Sequence, residues 1–104
     1  MAPAIAIDRS RIAEFCRRWK VAQLELFGSV LRADFGPDSD VDVLVTFRAD
    51  AEWGLFEHME IEEELSGLLG RQVDLVSRRA IERSRNWIRR NAILSGTERI
   101  YAAG

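Results

Sequence analysis

The chain is short of the residues that small proteins use as staples. It has one cysteine, Cys16, so no disulfide can close within it. It has one histidine, His58, and the two together cannot make a zinc cluster. Any metal would have to be held by carboxylates. No apolar run approaches the roughly 20 residues that a membrane-spanning helix needs. The opening Met1-Ala-Pro-Ala-Ile-Ala-Ile also lacks the basic start and long apolar core of a secretory signal, so the expected setting is the cytoplasm. Internal repeats, linkers and low-complexity stretches are missing as well. The 104 residues leave room for one domain, expected to span 1–104, with a core too small to enclose a large substrate.

What is present is charge, sorted by position. Residues 1–33 hold six basic and three acidic groups, residues 34–64 hold eleven acidic groups against Arg48 alone, and residues 71–104 hold eight basic and three acidic groups. The net charge of −2 conceals this segregation. Such runs are usually solvated helix faces, but a protein that handles phosphate needs both signs close together.

Hydropathy patterning predicts an alternation of helices and strands. Asp8 is placed to cap a helix to about Trp19, whose Ile12, Phe15, Cys16 and Trp19 recur at helical spacing. Val21 to Phe27 alternates as a half-buried strand and stops at Gly28, followed by a short helical segment around Val30 to Ala33 and a Gly36-Pro37 loop over residues 34–39. Asp40 to Phe47, rich in β-branched residues, is the strongest strand, and Gly54 opens a helix to Leu69 with Leu55, Met59, Leu65 and Leu69 expected inward. A third strand over 72–76, a basic helix from Arg79 to Leu94 with Trp87 in the core, and a last strand including Ile100 and Tyr101 complete the order. The fold class is therefore α/β or α+β, a small mixed β-sheet flanked by helices.

The chemistry is expected where Gly28-Ser29 is followed, ten residues on, by Asp40-x-Asp42. Side chains on a strand point alternately to opposite faces, so Asp40 and Asp42 share a face opposite Val41 and Val43. At a same-face spacing of roughly 6.6 Å and an effective dielectric near 20, their repulsion is about 2–3 kcal/mol. A divalent cation removes it, and hard oxygens on a rigid strand suit Mg²⁺, which leaves positions open to substrate phosphates. Gly28 lets backbone approach a phosphate closely, and Ser29 offers a hydroxyl and an N–H at the start of a helical turn. Asp74, on another strand, could add a third carboxylate and allow two ions for in-line displacement. A calcium loop from Asp38 fails, because Val43 and Ala49 stand where that loop wants Gly and Glu.

These residues carry a resemblance. Gly28-Ser-Val-Leu-Arg32, the loop Phe35 to Ser39 and Asp40-Val-Asp42-Val-Leu-Val resemble the signature of the DNA polymerase β-like nucleotidyltransferase superfamily, in particular its minimal nucleotidyltransferase (MNT) branch. The resemblance runs from the first helix to Tyr101 and implies the polymerase β-like fold. It implies that Gly28, Ser29 and Arg32 bind the nucleotide, that Asp40, Asp42 and Asp74 are the catalytic carboxylates ligating Mg²⁺, and that Asp74 helps deprotonate the attacking hydroxyl. Family members of this size are typically the antitoxin half of a pair whose partner is a HEPN-domain ribonuclease toxin. The implied activity is transfer of AMP from ATP to a tyrosine hydroxyl of that toxin, with the acceptor site on the partner's surface. A non-catalytic toxin-binding module and nucleotide addition to an RNA end remain as alternatives.

Other features carry less. The helix with Arg79, Arg83, Arg85, Arg89 and Arg90 reads as a solvated face or a partner dock, and it lacks the interleaved aromatics of single-strand nucleic-acid binders. Cys16 reads as a buried filler, His58 as an exposed residue among acidic neighbours, and Trp19 and Trp53 as packing residues.

Overall fold

The computed structural model describes residues 7–32, 36 and 39–103. Helix α1 (Arg9–Arg18) begins where Asp8 accepts the amides of Ser10 and Arg11 at 3.1 and 3.2 Å, satisfying donors that a first helical turn leaves unpaired. Strand β1 (Val21–Phe27) leads into a 3-10 turn (Gly28–Leu31), and strand β2 (Val41–Phe47) follows. The Ala33 end of the expected helical segment lies outside the described residues, as do Asp34, Phe35, Pro37 and Asp38 of the expected loop. Helix α2 (Leu55–Leu69) runs from Gly54 to Gly70, whose left-handed φ of 67° ends it. Strand β3 (Val73–Ser77), helices α3 (Arg78–Glu82) and α4 (Trp87–Leu94), and strand β4 (Thr97–Ala102) complete the described order.

The four strands lie in the order β3-β2-β1-β4, with β2 and β3 parallel and the other pairs antiparallel. The mixed sheet with flanking helices is the expected fold class. Alternation divides it into two faces. Val41, Val43, Val45, Leu24, Leu26, Val73 and Leu75 point into the main core, which also takes in Ile12, Phe15 and Cys16 of α1 and Ile61, Leu65 and Leu69 of α2. Burial pushes the Cys16 thiol up to about 12, as a filler's should be. The opposite face carries a smaller cluster of Phe27, Leu44 and Ile81, and it is the face on which Asp42 and Asp74 lie.

Helix α2 does more than cover the core. The amides of Val73 and Leu75 donate to Ser66 Oγ at 3.0 Å and to Glu62 Oε2 at 2.8 Å, and His58 Nε2 donates to the Leu75 carbonyl at 3.0 Å. Three side chains spaced four apart thus satisfy outward-facing groups of β3, an edge strand that would otherwise offer them to another chain. His58 is half-buried by this contact, not exposed as expected. Trp19 and Trp53 pack edge to face with centroids 5.3 Å apart, and the Trp53 indole donates to the Trp19 carbonyl at 2.7 Å.

Two expectations are corrected. Leu55 and Met59 are exposed, because the inward stripe of α2 is Ile61, Leu65 and Leu69; stepping back four or three residues from Ile61 lands on Glu57 or His58. The expected single basic helix is two, because Asn86 accepts the Arg89 amide at 3.1 Å and starts α4 afresh after the Ser84-Arg85 turn. That break turns Trp87, expected in the core, and Ile88 outward, each more than 60% exposed.

Candidate active site

The site starts from a glycine that could be nothing else. Gly28 follows β1 with φ of 76°, and a Cβ built there would stand under 3.0 Å from Asp42 Oδ2 and 3.3 Å from Asp42 Cγ. Both the backbone conformation and the space demand a hydrogen at that position. Register explains the approach, since Phe27 is opposite Asp42 in the β1–β2 ladder. Gly28 therefore presses the turn carrying Ser29 against the Asp42 carboxylate. Arg32 closes that turn with its amide on the Ser29 carbonyl at 2.9 Å.

The parallel ladder brings in the third carboxylate. Asp42 is directly opposite Asp74, so the two side chains share the face away from the main core. Asp40 stands just before β2, two residues from Asp42, and is exposed like Asp74; Asp42 is half-buried. Asp42 feels the crowding most. Its burial, then the charge of Asp74, then that of Asp40 raise its pKa above the ordinary aspartate value, against a smaller opposing effect of Arg32. All six residues expected at the site therefore lie around the Gly28–Asp42 contact.

Whether these residues suit Mg²⁺ is a question of donor chemistry. Among the described residues no three His, Cys, Asp or Glu side chains form a cluster able to hold a metal ion by themselves. Asp40 and Asp74 are near enough for their charges to act on Asp42, but the three acids do not close a cage. That suits an ion that takes one or two carboxylates and fills its octahedron with water and phosphate oxygens. The repulsion on Asp42 that remains after the opposing effect of Arg32 is what a divalent cation would offset.

The sequence reading missed two neighbours. Beside Gly28 opens a cleft of about 680 Å³, walled by Phe27, Leu31 and Ile93 and edged by Arg32 and Glu98, within the usual size of a small-ligand site. On the same sheet face lies Glu25, buried and accepting from Thr97 Oγ1 at 2.7 Å, Gln23 Nε2 at 2.7 Å and Arg78 Nη1 at 2.5 Å. Burial alone would raise its pKa, but the hydrogen bonds from Thr97, Arg78 and Gln23 and the charge of Arg78 outweigh it and lower it instead. This network fastens α3 and β4 to β1. Alternation along Val21–Phe27 puts Glu25 on the side away from Leu24 and Leu26, and its burial comes from α3 and β4, which meet it only in the fold.

The family profile of the nucleotidyltransferase domain matches residues 9–100. The chain belongs to that family. This nucleotidyltransferase is 39% identical over 69 residues to the protein adenylyltransferase MntA of Thermococcus cleftensis, an alignment covering 66% of this chain and 68% of that protein. It also shares its fold with a toxin–antitoxin crystal structure containing AMP-PNP, with a TM-score of 0.68 and 20% identity, over 93% of this chain and 75% of that one. A third likeness is to a chain in the solved complex of tri-AMPylated Shewanella oneidensis HEPN toxin with MNT antitoxin, with a TM-score of 0.60 and 21% identity, over 91% of this chain and 70% of that one. The polymerase β-like nucleotidyltransferase fold implied by the motif is the fold of this nucleotidyltransferase.

Proposed function

We propose that this chain transfers AMP from ATP to a tyrosine hydroxyl of a HEPN ribonuclease toxin and acts as that toxin's antitoxin. The observation that carries the reading is the Asp42 carboxylate, crowded by Asp40 and Asp74 and pressed against a turn where only glycine fits. The adenylyltransferase and toxin–antitoxin relatives support the donor and the partner. Asp40, Asp42 and Asp74 would hold Mg²⁺, which when bound supplies Lewis-acid polarisation and charge neutralisation of the phosphates.

The chain's own residues do the rest. Gly28 and the Ser29 hydroxyl seat the triphosphate, with Arg32 close enough to steady its charge. The cleft walled by Phe27, Leu31 and Ile93 takes the nucleoside. The acceptor oxygen bonds to the α-phosphorus, the bond from that phosphorus to the bridging oxygen breaks, and pyrophosphate leaves. The hydroxyl proton passes to Asp74, which is exposed to the solvent through which an acceptor arrives. Holding donor and acceptor in line supplies much of the rate, because positioning replaces a bimolecular encounter.

The experiment is incubation of the chain with α-labelled ATP, Mg²⁺ and a HEPN-domain protein, taken first from the product of a neighbouring gene. Label on the toxin that vanishes with D40N/D42N supports the reading, and label that survives the double variant refutes the assigned site. Neutralisation of the toxin in cells by D40N/D42N would instead make the chain a binding module.

A further inference from the structure

We propose that Arg71 is a positioning residue for Asp40: it holds the turn before Asp40 so that this carboxylate stands correctly beside Asp42. The inference rests on reading Asp40 and Asp42 as the metal-holding pair. Arg71 is absent from the motif, and its place in the sequence marks it only as the residue after a helix-ending glycine.

The geometry is a clamp on both sides of one residue. The Arg71 guanidinium donates through Nη2 to the Gly36 carbonyl and, at 3.0 Å, to the Ser39 carbonyl. Those two residues also close on each other, Ser39 N–H to the Gly36 carbonyl and Gly36 N–H to Ser39 Oγ, both at 3.1 Å. On the far side of Asp40, the Val41 amide donates to the Gln72 carbonyl at 2.8 Å. Consecutive residues 71 and 72 therefore pin the peptides before and after Asp40. The same stretch continues to Asp74, so one segment sets the place of two carboxylates relative to the third. Its start is fixed in turn by the left-handed Gly70 and by the Arg71 amide on the Ser66 carbonyl at 3.2 Å. A planar guanidinium suits this task, since the two N–H bonds of Nη2 are held in its plane and diverge, so one nitrogen reaches two carbonyls at once.

The test uses the full chain and three variants, R71M, R71K and D42N. Each is read by hydrogen exchange at the amides of residues 39–41 and by calorimetric titration of ATP at stepped Mg²⁺ concentrations, without an acceptor. R71M is expected to speed exchange at those amides and to raise the Mg²⁺ concentration for half-maximal ATP affinity about tenfold, the low end of the roughly 10- to 100-fold that loss of a group bonded to a metal ligand costs, because Arg71 holds the backbone beside Asp40 and acts on its carboxylate through that backbone. R71K, with a flexible ammonium in place of the fork, should recover only part of both. An unchanged Mg²⁺ midpoint in R71M overturns the proposal even if exchange quickens, because a tether that merely stiffens the turn would move exchange alone. If R71M does not fold, R71K carries the test with the same two outcomes. ATP affinity that ignores both Mg²⁺ and D42N would overturn the metal-pair reading and the proposal with it. An Mg²⁺-dependent wild type beside an unshifted R71M would remove only the role of Arg71.

Discussion

Replacing Gly28 by alanine tests the centre of the site with a single methyl group. Two effects separate. The left-handed backbone costs an L-residue roughly 1–2 kcal/mol, and the stiffer unfolded chain returns about 0.4–1 kcal/mol. The net strain is thus about 1 kcal/mol, a fall in Tm of roughly 4–8 °C for a domain near this size. The second effect is steric. A methyl under 3.0 Å from Asp42 Oδ2 and 3.3 Å from Cγ forces the carboxylate to swing away, and a displacement near 1 Å of a reacting group can cost about 100-fold in rate. Gly70→Ala calibrates the strain by itself, since Gly70 has φ of 67° but nothing within 4 Å of its added Cβ. Unfolding followed by circular dichroism should therefore give similar losses for G70A and G28A, with any excess in G28A measuring the clash. Transfer of labelled AMP should fall about 100-fold in G28A. A G28A protein that keeps more than half the wild-type transfer rate would refute the claim that this turn and Asp42 work as one unit.

Two further predictions concern pH and carry opposite signs. Asp42 has a raised folded-state pKa, so its charge destabilises the fold at neutral pH and the penalty disappears as pH falls below the ordinary aspartate value; urea unfolding should find D42N more stable than wild type at pH 7, with the gap closing in acid, while transfer is lost. Glu25 has a lowered pKa, so its stabilisation is present above the ordinary glutamate value and fades as pH falls. E25Q should lose about 1–3 kcal/mol at pH 7 for a buried charged hydrogen-bond network broken on one side, with the deficit shrinking in acid; equal stability of E25Q and wild type at pH 7 would contradict the buried network.

Much of the site was legible because strand alternation is local. Val21–Phe27 could be bounded from its own residues, the strand read as Asp40 to Phe47 was bounded to within the one residue by which Val41–Phe47 falls short of it, and the side on which Asp42 and Asp74 project followed from a period of two. That Asp42 faces Asp74 and not a neighbour was not legible, because register belongs to a pair of strands and is set through the crossover that contains α2. Hydrophobicity misplaced Leu55, Met59 and Trp87 for a related reason: an apolar side chain does not say which helix face meets the sheet, and a one-residue cap at Asn86 outweighed an unbroken basic pattern. Arg71 and Glu25 escaped because Arg71 Nη2 reaches carbonyls 32 and 35 residues away, and the Arg78 and Thr97 that hold Glu25 are 53 and 72 residues away in the chain.

The hydrogen bonds that join His58, Glu62 and Ser66 to β3, the first donating and the other two accepting, make one side of α2 a surrogate fifth strand. An acidic helix that looks freely exchangeable is then written in two alphabets. Glu60 and Glu63 are open to charge reversal in any redesign of the surface, whereas positions 58, 62 and 66 must keep speaking to a backbone, and through it they hold still the strand that bears Asp74.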